Sequence, residues 1–302
     1  GRVEAEGGTD EQLRTFYSCL YRTLLFPREF YEFDSQGNPV YYSPYDGNVH
    51  DGYMYTDNGF WDTFRAVHPL FTLLYPEVSE RVTQSIINAY NESGFMPEWA
   101  SPGHRGCMIG NNSVSLLVDA WMKGIQTVDA EKALEAMIHQ TQARHAEIAS
   151  VGRDGWCIAR FAESLGKQDI ADQYYQKAPN YRNLYYPEHG FMWTKDAKGN
   201  WRDRFDATEW GGPFTEGSSW HWTWSVFHDP EGLSELMGGH EPMIARLDSM
   251  FVAPNTYNYG TYGFVIHEIA EMVALNMGQY AHGNQPVQHA IYLYDYIGQP
   301  WK

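Results

Sequence analysis

Apolar residues recur along most of this chain at the three-and-four spacing of a helix face, and seldom alternate as they would in a half-buried strand. Leu13, Phe16, Tyr17, Leu20, Tyr21 and Leu24 mark one such face, stopped by Pro27. Val78, Val82, Ile86 and Tyr90 mark a second, closed by Gly94, and Val114, Leu117, Val118, Trp121 and Ile125 a third, with Gly124 near its end. The same periodicity predicts helices over about 129–150, 155–165, 168–178, 232–238, 241–252, 262–277 and 286–297. Only 38–43 and 190–201 read as strand, the latter hairpin-like around Lys198-Gly199-Asn200. No low-complexity segment, charge block or Pro/Gly/Ser-rich linker interrupts the chain, so a single domain is expected. Many helices joined by loops of very unequal length fit neither a four-helix bundle nor a short-period solenoid. The predicted fold is all-α, an α/α toroid of paired helices in a ring, with short β pieces in its loops. The long loops 51–59, 98–112, 203–217, 255–263 and 281–286 are dense in Gly, Asp, Asn, His and Trp, which is site chemistry carried on a helical frame.

Composition sharpens this picture. With 302 residues the chain can bury a large core, and its net charge of −17 excludes a basic face for nucleic acid or an anionic membrane. No apolar run of about eighteen residues is present, so no membrane-spanning helix is expected. The chain starts Gly-Arg-Val-Glu, with no Met, basic n-region or apolar h-region, and reads as processed or cut. Cys19, Cys107 and Cys157 follow no zinc or Cys-x-x-Cys spacing; they are expected to be buried thiols, with one disulfide left open. Eleven Trp and 22 Tyr in a chain of negative mean hydropathy place much aromatic surface beside polar groups, as carbohydrate-active proteins do.

The densest chemistry lies in Glu216-Gly-Ser-Ser-Trp-His-Trp-Thr-Trp224, one carboxylate before three Trp and a His. Indole faces stack on the C–H faces of sugar rings, and a carboxyl held against aromatic rings is poorly solvated, so its pKa rises towards that of a general acid. Glu216 is therefore a candidate acid for glycosidic cleavage, against an equal case for a core-packing Trp helix with Glu216 solvated in its first turn. In Trp61-Asp62-Thr63-Phe64-Arg65, Asp62 and Arg65 at i, i+3 beside Trp61 can grip sugar hydroxyls. The plainer alternative, favoured by these residues alone, is a first-turn carboxylate paired with Arg65. His267, Glu268 and Glu271 lack the second His of a zinc His-Glu-x-x-His helix. Glu268 and Glu271 form a like-charged i, i+3 pair that a cation or a splitting of pKa values would relieve, and oxygen ligands favour calcium. Asn284 and Gln285 offer neutral oxygens just before a helix expected from Pro286, and Asn111, Asn112 or Ser113 a helix N-cap after Met108-Ile109-Gly110.

Together these segments resemble glycoside hydrolase family 92, the calcium-dependent inverting exo-α-mannosidases. The resemblance is carried by Trp61 to Arg65, the Met108–Asn111 loop with Asp119 to Gly124, Glu216-Gly217, Ile266-His267-Glu268 with Glu271-Met272-Val273, and His282 to Pro286 with Tyr292 to Lys302. It implies an N-terminal β-sandwich joined to an α/α-toroid catalytic domain, of which residues 1–302 would be most of the toroid. It implies Glu216 as general acid, with Asp62 and Arg65, beside Trp61, on the terminal mannose and Trp220 at the sugar. His267 and Glu268 would lie in a loop at the neighbouring sugar, and Glu271, Asn284 and Gln285 around calcium. Ser218-Ser219-Trp220-His221-Trp222 stands where members usually read Asn-Ala-Trp-Gln-Tyr, and Gln285 where they usually carry Glu. The family's Gly-Asn-Asp-Asp motif, which carries the base, would follow Lys302. An inverting enzyme needs both carboxyls, so the chain is expected to need the missing segments of its parent for turnover. The implied substrate is a mannose-containing glycan, α-1,2-linked, and the implied location secreted, periplasmic or cell-surface. Two rivals are a non-catalytic sugar- or calcium-binding fragment and another α/α-toroid glycosidase pairing Glu216 with Glu268.

Overall fold

The computed structural model describes residues 2–107, 109–143 and 148–302, and helix dominates them, every strand being two to four residues long. The chain divides into two compact units, Gly1–Ala146 with Cys157–Gln173 and Glu147–Trp156 with Tyr174–Lys302.

In the first unit the predicted stripes become the helices Asp10–Thr23, Pro76–Ser93 and Asn112–Met122. Pro76 stands at the first helical position, where its missing N–H costs nothing, and Gly94 caps the far end at φ 80°. Val82, Ile86, Ile87 and Tyr90 on that helix are buried, and it packs on Val67–Leu74, Asn112–Met122 and Ala130–Ala143. Asp10–Thr23 has a reciprocal Thr9–Gln12 capping box, yet buries none of its residues; Phe16, Tyr17 and Tyr21 stay exposed. Of the helix expected over 129–150, residues 130–143 are helical and 144–147 lie outside the described residues. Residues 148–150 open the next helix, Ile148–Ser164. The expected strand 38–43 is the centre of an antiparallel sheet, Pro39–Tyr42 between Glu32–Phe33 and Val49–Asp51. Its neighbours are too short for a period of two to show in sequence. A further pair, Asn58–Gly59 with Trp99–Ala100, leads straight into the short helix Phe60–Thr63.

In the second unit the core gathers Trp210, Trp224, Leu233, Leu247, Met250, Ile269, Met272 and Tyr294 from separate helices and loops. Pro230–Met237 and His240–Val252 pack on each other much as predicted. The segment 190–201 differs: Phe191–Met192 pairs upstream with Tyr185–Tyr186, and only the turn at 196–200 is hairpin-like, closed by a Lys195–Trp201 bridge. The helix expected over 262–277 is shorter, His267–Leu275, because Gly263 at φ 71° ends a preceding 3-10 turn, Gly260–Tyr262. No regular helix starts at Pro286. Turns lead to a 3-10 segment, Ala290–Tyr292, and then Leu293–Tyr296, while Val287, Ala290, Leu293 and Ile297 keep the helical spacing and are buried. The thiols correct the expectation of burial: Cys157 is buried, but Cys19 and Cys107 are exposed.

Candidate active site

In the first unit, the strand ending at Gly59 delivers Phe60–Thr63 as a single helical turn, in which Phe60 and Trp61 are buried and Asp62 is exposed. Trp61 is 5% exposed, and the Arg65 guanidinium lies 4.4 Å from its ring centre, with Arg65 Nε donating to the Trp61 carbonyl at 3.3 Å. The Arg65 side chain is thus stacked and aimed by its own turn. Nearby in sequence, His68 is buried and its Nε2 accepts from Asn58 Nδ2 at 3.1 Å; burial pushes its pKa down to about 3, so it is neutral. At the Met-Ile-Gly-Asn loop the N-cap is Asn111, while Met108 lies outside the described residues.

In the second unit Glu216 does not occupy the first turn of a helix, the place given to it by the core-packing alternative. It sits two residues before the N-cap Ser218 of a four-residue helix, Ser219–Trp222, with its backbone in the left-handed region at φ 48°. Its N–H donates to the Tyr262 hydroxyl at 2.9 Å, and its carbonyl accepts from Asn284 Nδ2 at 2.5 Å. The groups on either side are held as well. The Thr215 carbonyl accepts from Trp222 Nε1 at 2.9 Å, and the Ser218 N–H donates to His221 Nδ1 at 3.1 Å. His221 is fully buried and its Nε2–H donates to the Gln279 carbonyl at 2.9 Å; burial pushes its pKa down to about 4, which fixes the neutral tautomer this pairing needs. Trp222 and Trp224 are buried, and Trp222 stacks on Phe214, so these two indoles pack the interior. Trp220 is half-buried, edge-on to Phe191 and beneath Arg246. Beside the turn lies a cavity of about 250 Å³ lined by Gly211, Gly212, Phe214, Thr215, Trp222 and others.

His267 and Glu268 open the helix His267–Leu275 and are not in a loop. The His267 side chain is 77% exposed and stands between the two carboxylates of the pair noted in the sequence, Nε2 3.1 Å from Glu268 and Nδ1 3.3 Å from Glu271. Glu268 is only 12% exposed at its side chain. Glu271 Oε2 comes within 2.5 Å of where a Cβ on Gly283 would stand, so the carboxylate lies against the backbone just before Asn284. Asn284 spends its amide N–H on Glu216, and its Oδ1 is buried with no hydrogen-bond partner. A buried orphan acceptor oxygen and a neighbouring carboxylate are a donor set that suits a hard cation, and Gln285 follows directly. Tyr280, whose phenol burial pushes up to about 12, meets His282 Nδ1 at 2.7 Å just before this loop.

The structure therefore brings Glu216 and Asn284 together, and His267, Glu268 and Glu271 together with Gly283 between them and Asn284. Trp61, Asp62 and Arg65 belong to the other unit. Sequence reasoning missed Tyr262, which shows no motif of its own. It also missed a group in the first unit, Asp46, His50 and Glu92, whose ligand atoms all lie within 4.8 Å of one another.

The model of the "Glycosyl hydrolase family 92 catalytic domain" matches residues 1–155 and 146–302. A family 92 inverting mannosidase from Bacteroides thetaiotaomicron is 91% identical, with a TM-score of 0.88 over all of this chain and 45% of that one. A family 92 α-mannosidase of the same organism, solved with mannoimidazole, is 30% identical, with a TM-score of 0.81 over 96% of this chain and 41% of that one. A curated relative from Arthroderma benhamiae, an uncharacterized secreted glycosidase, is 20% identical over 99% of this chain and 39% of its own length. The chain thus spans less than half the length of these relatives.

Proposed function

The chain belongs to glycoside hydrolase family 92, and from that premise we propose that it supplies the general acid of an inverting exo-α-mannosidase acting on α-1,2-linked mannose of glycans. The observation that carries this reading is Glu216, a half-buried carboxylate on a backbone fixed through both its N–H and its C=O. A fixed acid beside an apolar cavity is placed to protonate a departing glycosidic oxygen, and each proton transfer of this kind contributes about 10²–10⁴-fold in rate. Asp62 and Arg65 bind hydroxyls of the terminal mannose, Arg65 stacked on Trp61, and Trp220 lies at the sugar. His267 and Glu268 contact the neighbouring sugar. Glu271, Asn284 and Gln285 are the residues that would hold calcium; the orphan Asn284 Oδ1 is the observation in favour. Bound there, calcium supplies a hard Lewis acid for sugar hydroxyls.

The base that activates water is assigned to none of these residues, and inversion needs the two carboxyls about 6.5–9.5 Å apart. In this reading the helices form most of an α/α toroid, and a β-sandwich and the base-bearing segment come from the rest of the polypeptide. A secreted, periplasmic or cell-surface location suits a glycan substrate. Among the described residues no helix is long and apolar enough to cross a membrane.

Release of mannose from α-1,2-mannobiose, with and without a calcium chelator, tests the proposal in this chain and in the full-length protein. The expected outcome is chelator-sensitive release by the full-length protein and none by residues 1–302. Release by the short chain would place a base within it and overturn the assignment; silence from both would reject the substrate.

A further inference from the structure

We propose that Tyr262 is a positioning residue for the general acid, an inference that rests on the role of Glu216 given above. A non-glycine residue at φ 48° lies where L side chains are rarely stable, and such a backbone persists only when its surroundings over-determine it. Two long-range bonds do: the Asn284 amide on the Glu216 carbonyl and the Tyr262 hydroxyl under the Glu216 N–H, from 68 and 46 residues away. Asn284 is also assigned above to calcium through its Oδ1. The Tyr262 hydroxyl accepts from the Glu216 N–H, and the loop that carries it is built to present that hydroxyl.

The loop 255–263 is strapped to 206–211 along its length. The Trp210 N–H donates to the Asn258 carbonyl at 2.8 Å, the Asn258 N–H to the Thr208 carbonyl at 3.1 Å, and Asn258 Nδ2 to Asp206 Oδ2 at 3.1 Å. The Thr261 hydroxyl donates to the Gly211 carbonyl. Two glycines make the strap possible. Gly211, at φ 69°, lies directly under the Tyr262 ring, and Gly260, at φ 51°, lies against the Trp210 carbonyl; a Cβ at either would collide. The ring therefore has one seat, and from it the hydroxyl reaches Glu216. The backbone sets where the Glu216 side chain leaves the turn, so loss of that acceptor frees φ to relax and shifts the acid away from the leaving oxygen. Misplacement by about an ångström costs on the order of a hundredfold in rate.

The test is Tyr262→Phe in the full-length protein, which keeps the ring on Gly211 and deletes the acceptor. Two substrates are compared: α-1,2-mannobiose, whose leaving alcohol needs a proton, and a dinitrophenyl α-mannoside, whose leaving group needs none. We expect kcat on mannobiose to fall about tenfold to a hundredfold, with KM little changed, and the aryl mannoside to lose no more than about twofold. Inhibition by free mannose and the thermal midpoint stay as in the parent. Thr261→Val, which loosens the strap and leaves the tyrosine, gives a weaker version of the same selective loss and serves if the first variant folds poorly. Equal losses on both substrates, or none, overturn the proposal. Glu216→Gln run alongside separates the two failures: if it also spares mannobiose, the acid assignment has failed and Tyr262 with it. If it is selective while both loop variants behave as the parent, only the positioning role has failed.

Discussion

Asp62 and Glu216 are carboxylates of the same candidate chemistry, and their settings are built in opposite ways. Asp62 stands in the first turn of a helix whose start, Gly59, and whose partner in sequence, Arg65, lie within six residues of each other. Its turn follows directly on the strand Asn58–Gly59, paired with Trp99–Ala100, and a first-turn carboxylate is favoured by the helix dipole whatever surrounds it. Glu216 has no such help. It precedes its helix, its backbone is left-handed, and it is held by Tyr262 and Asn284 from distant loops. The difference teaches where precision resides: a residue that binds can be placed by its own turn, whereas one that must meet a single departing oxygen is fixed from outside it.

The largest effect should come from the non-local member. Glu216→Gln in the full-length protein is expected to lower kcat on α-1,2-mannobiose about 10³-fold and to spare a dinitrophenyl mannoside, measured by mannose and dinitrophenol release. Equal loss on both would mean that Glu216 binds sugar and does not donate a proton. Asp62→Asn, the local member, should instead lower kcat/KM about tenfold to a hundredfold on both substrates alike, mainly through KM, as loss of a charge-assisted hydroxyl contact worth roughly 1.5–3 kcal/mol does. A leaving-group dependence in Asp62→Asn would break the contrast.

That contrast also governs how much could be read from the sequence. The helices at 76–93, 112–122, 230–237 and 240–252 were legible because a buried stripe at helical spacing is a property of neighbouring residues. The stripe at 10–24 predicted its helix and not its exposure, since periodicity reports a face and not what covers it. The small sheets between 28 and 59 were mostly missed, because two-residue strands are defined by their partners. The three Trp after Glu216 looked alike in sequence, yet Trp222 and Trp224 are interior and Trp220 is half-buried. At 286–297 the spacing was right and the helix wrong, because a chain can bury every third or fourth side chain through 3-10 turns as well. Asn284 was legible as an oxygen donor, but its bond to Glu216 crosses 68 residues and no local pattern encodes it.

The smallest effect bears on what keeps the Glu216 turn in shape from below. His221 is buried and neutral, linking the Ser218 N–H to the Gln279 carbonyl, and burial lowers its pKa from 6.5 to about 4. In the unfolded chain it takes up a proton below pH 6.5, while the folded form does not until about pH 4. Protons therefore bind preferentially to the unfolded state in that window, and stability falls as pH falls through it; His68, lowered to about 3, acts in the same direction. By pH 5 the His221 share is on the order of 2 kcal/mol. Glutamine keeps one donor and one acceptor and never charges, so His221→Gln should be slightly less stable than the parent at pH 7 and close the gap or pass it at pH 5. Urea unfolding at the two pH values measures this. A stability difference that is the same at both would mean that His221 titrates alike folded and unfolded, and that the Glu216 turn is not supported by a neutral imidazole.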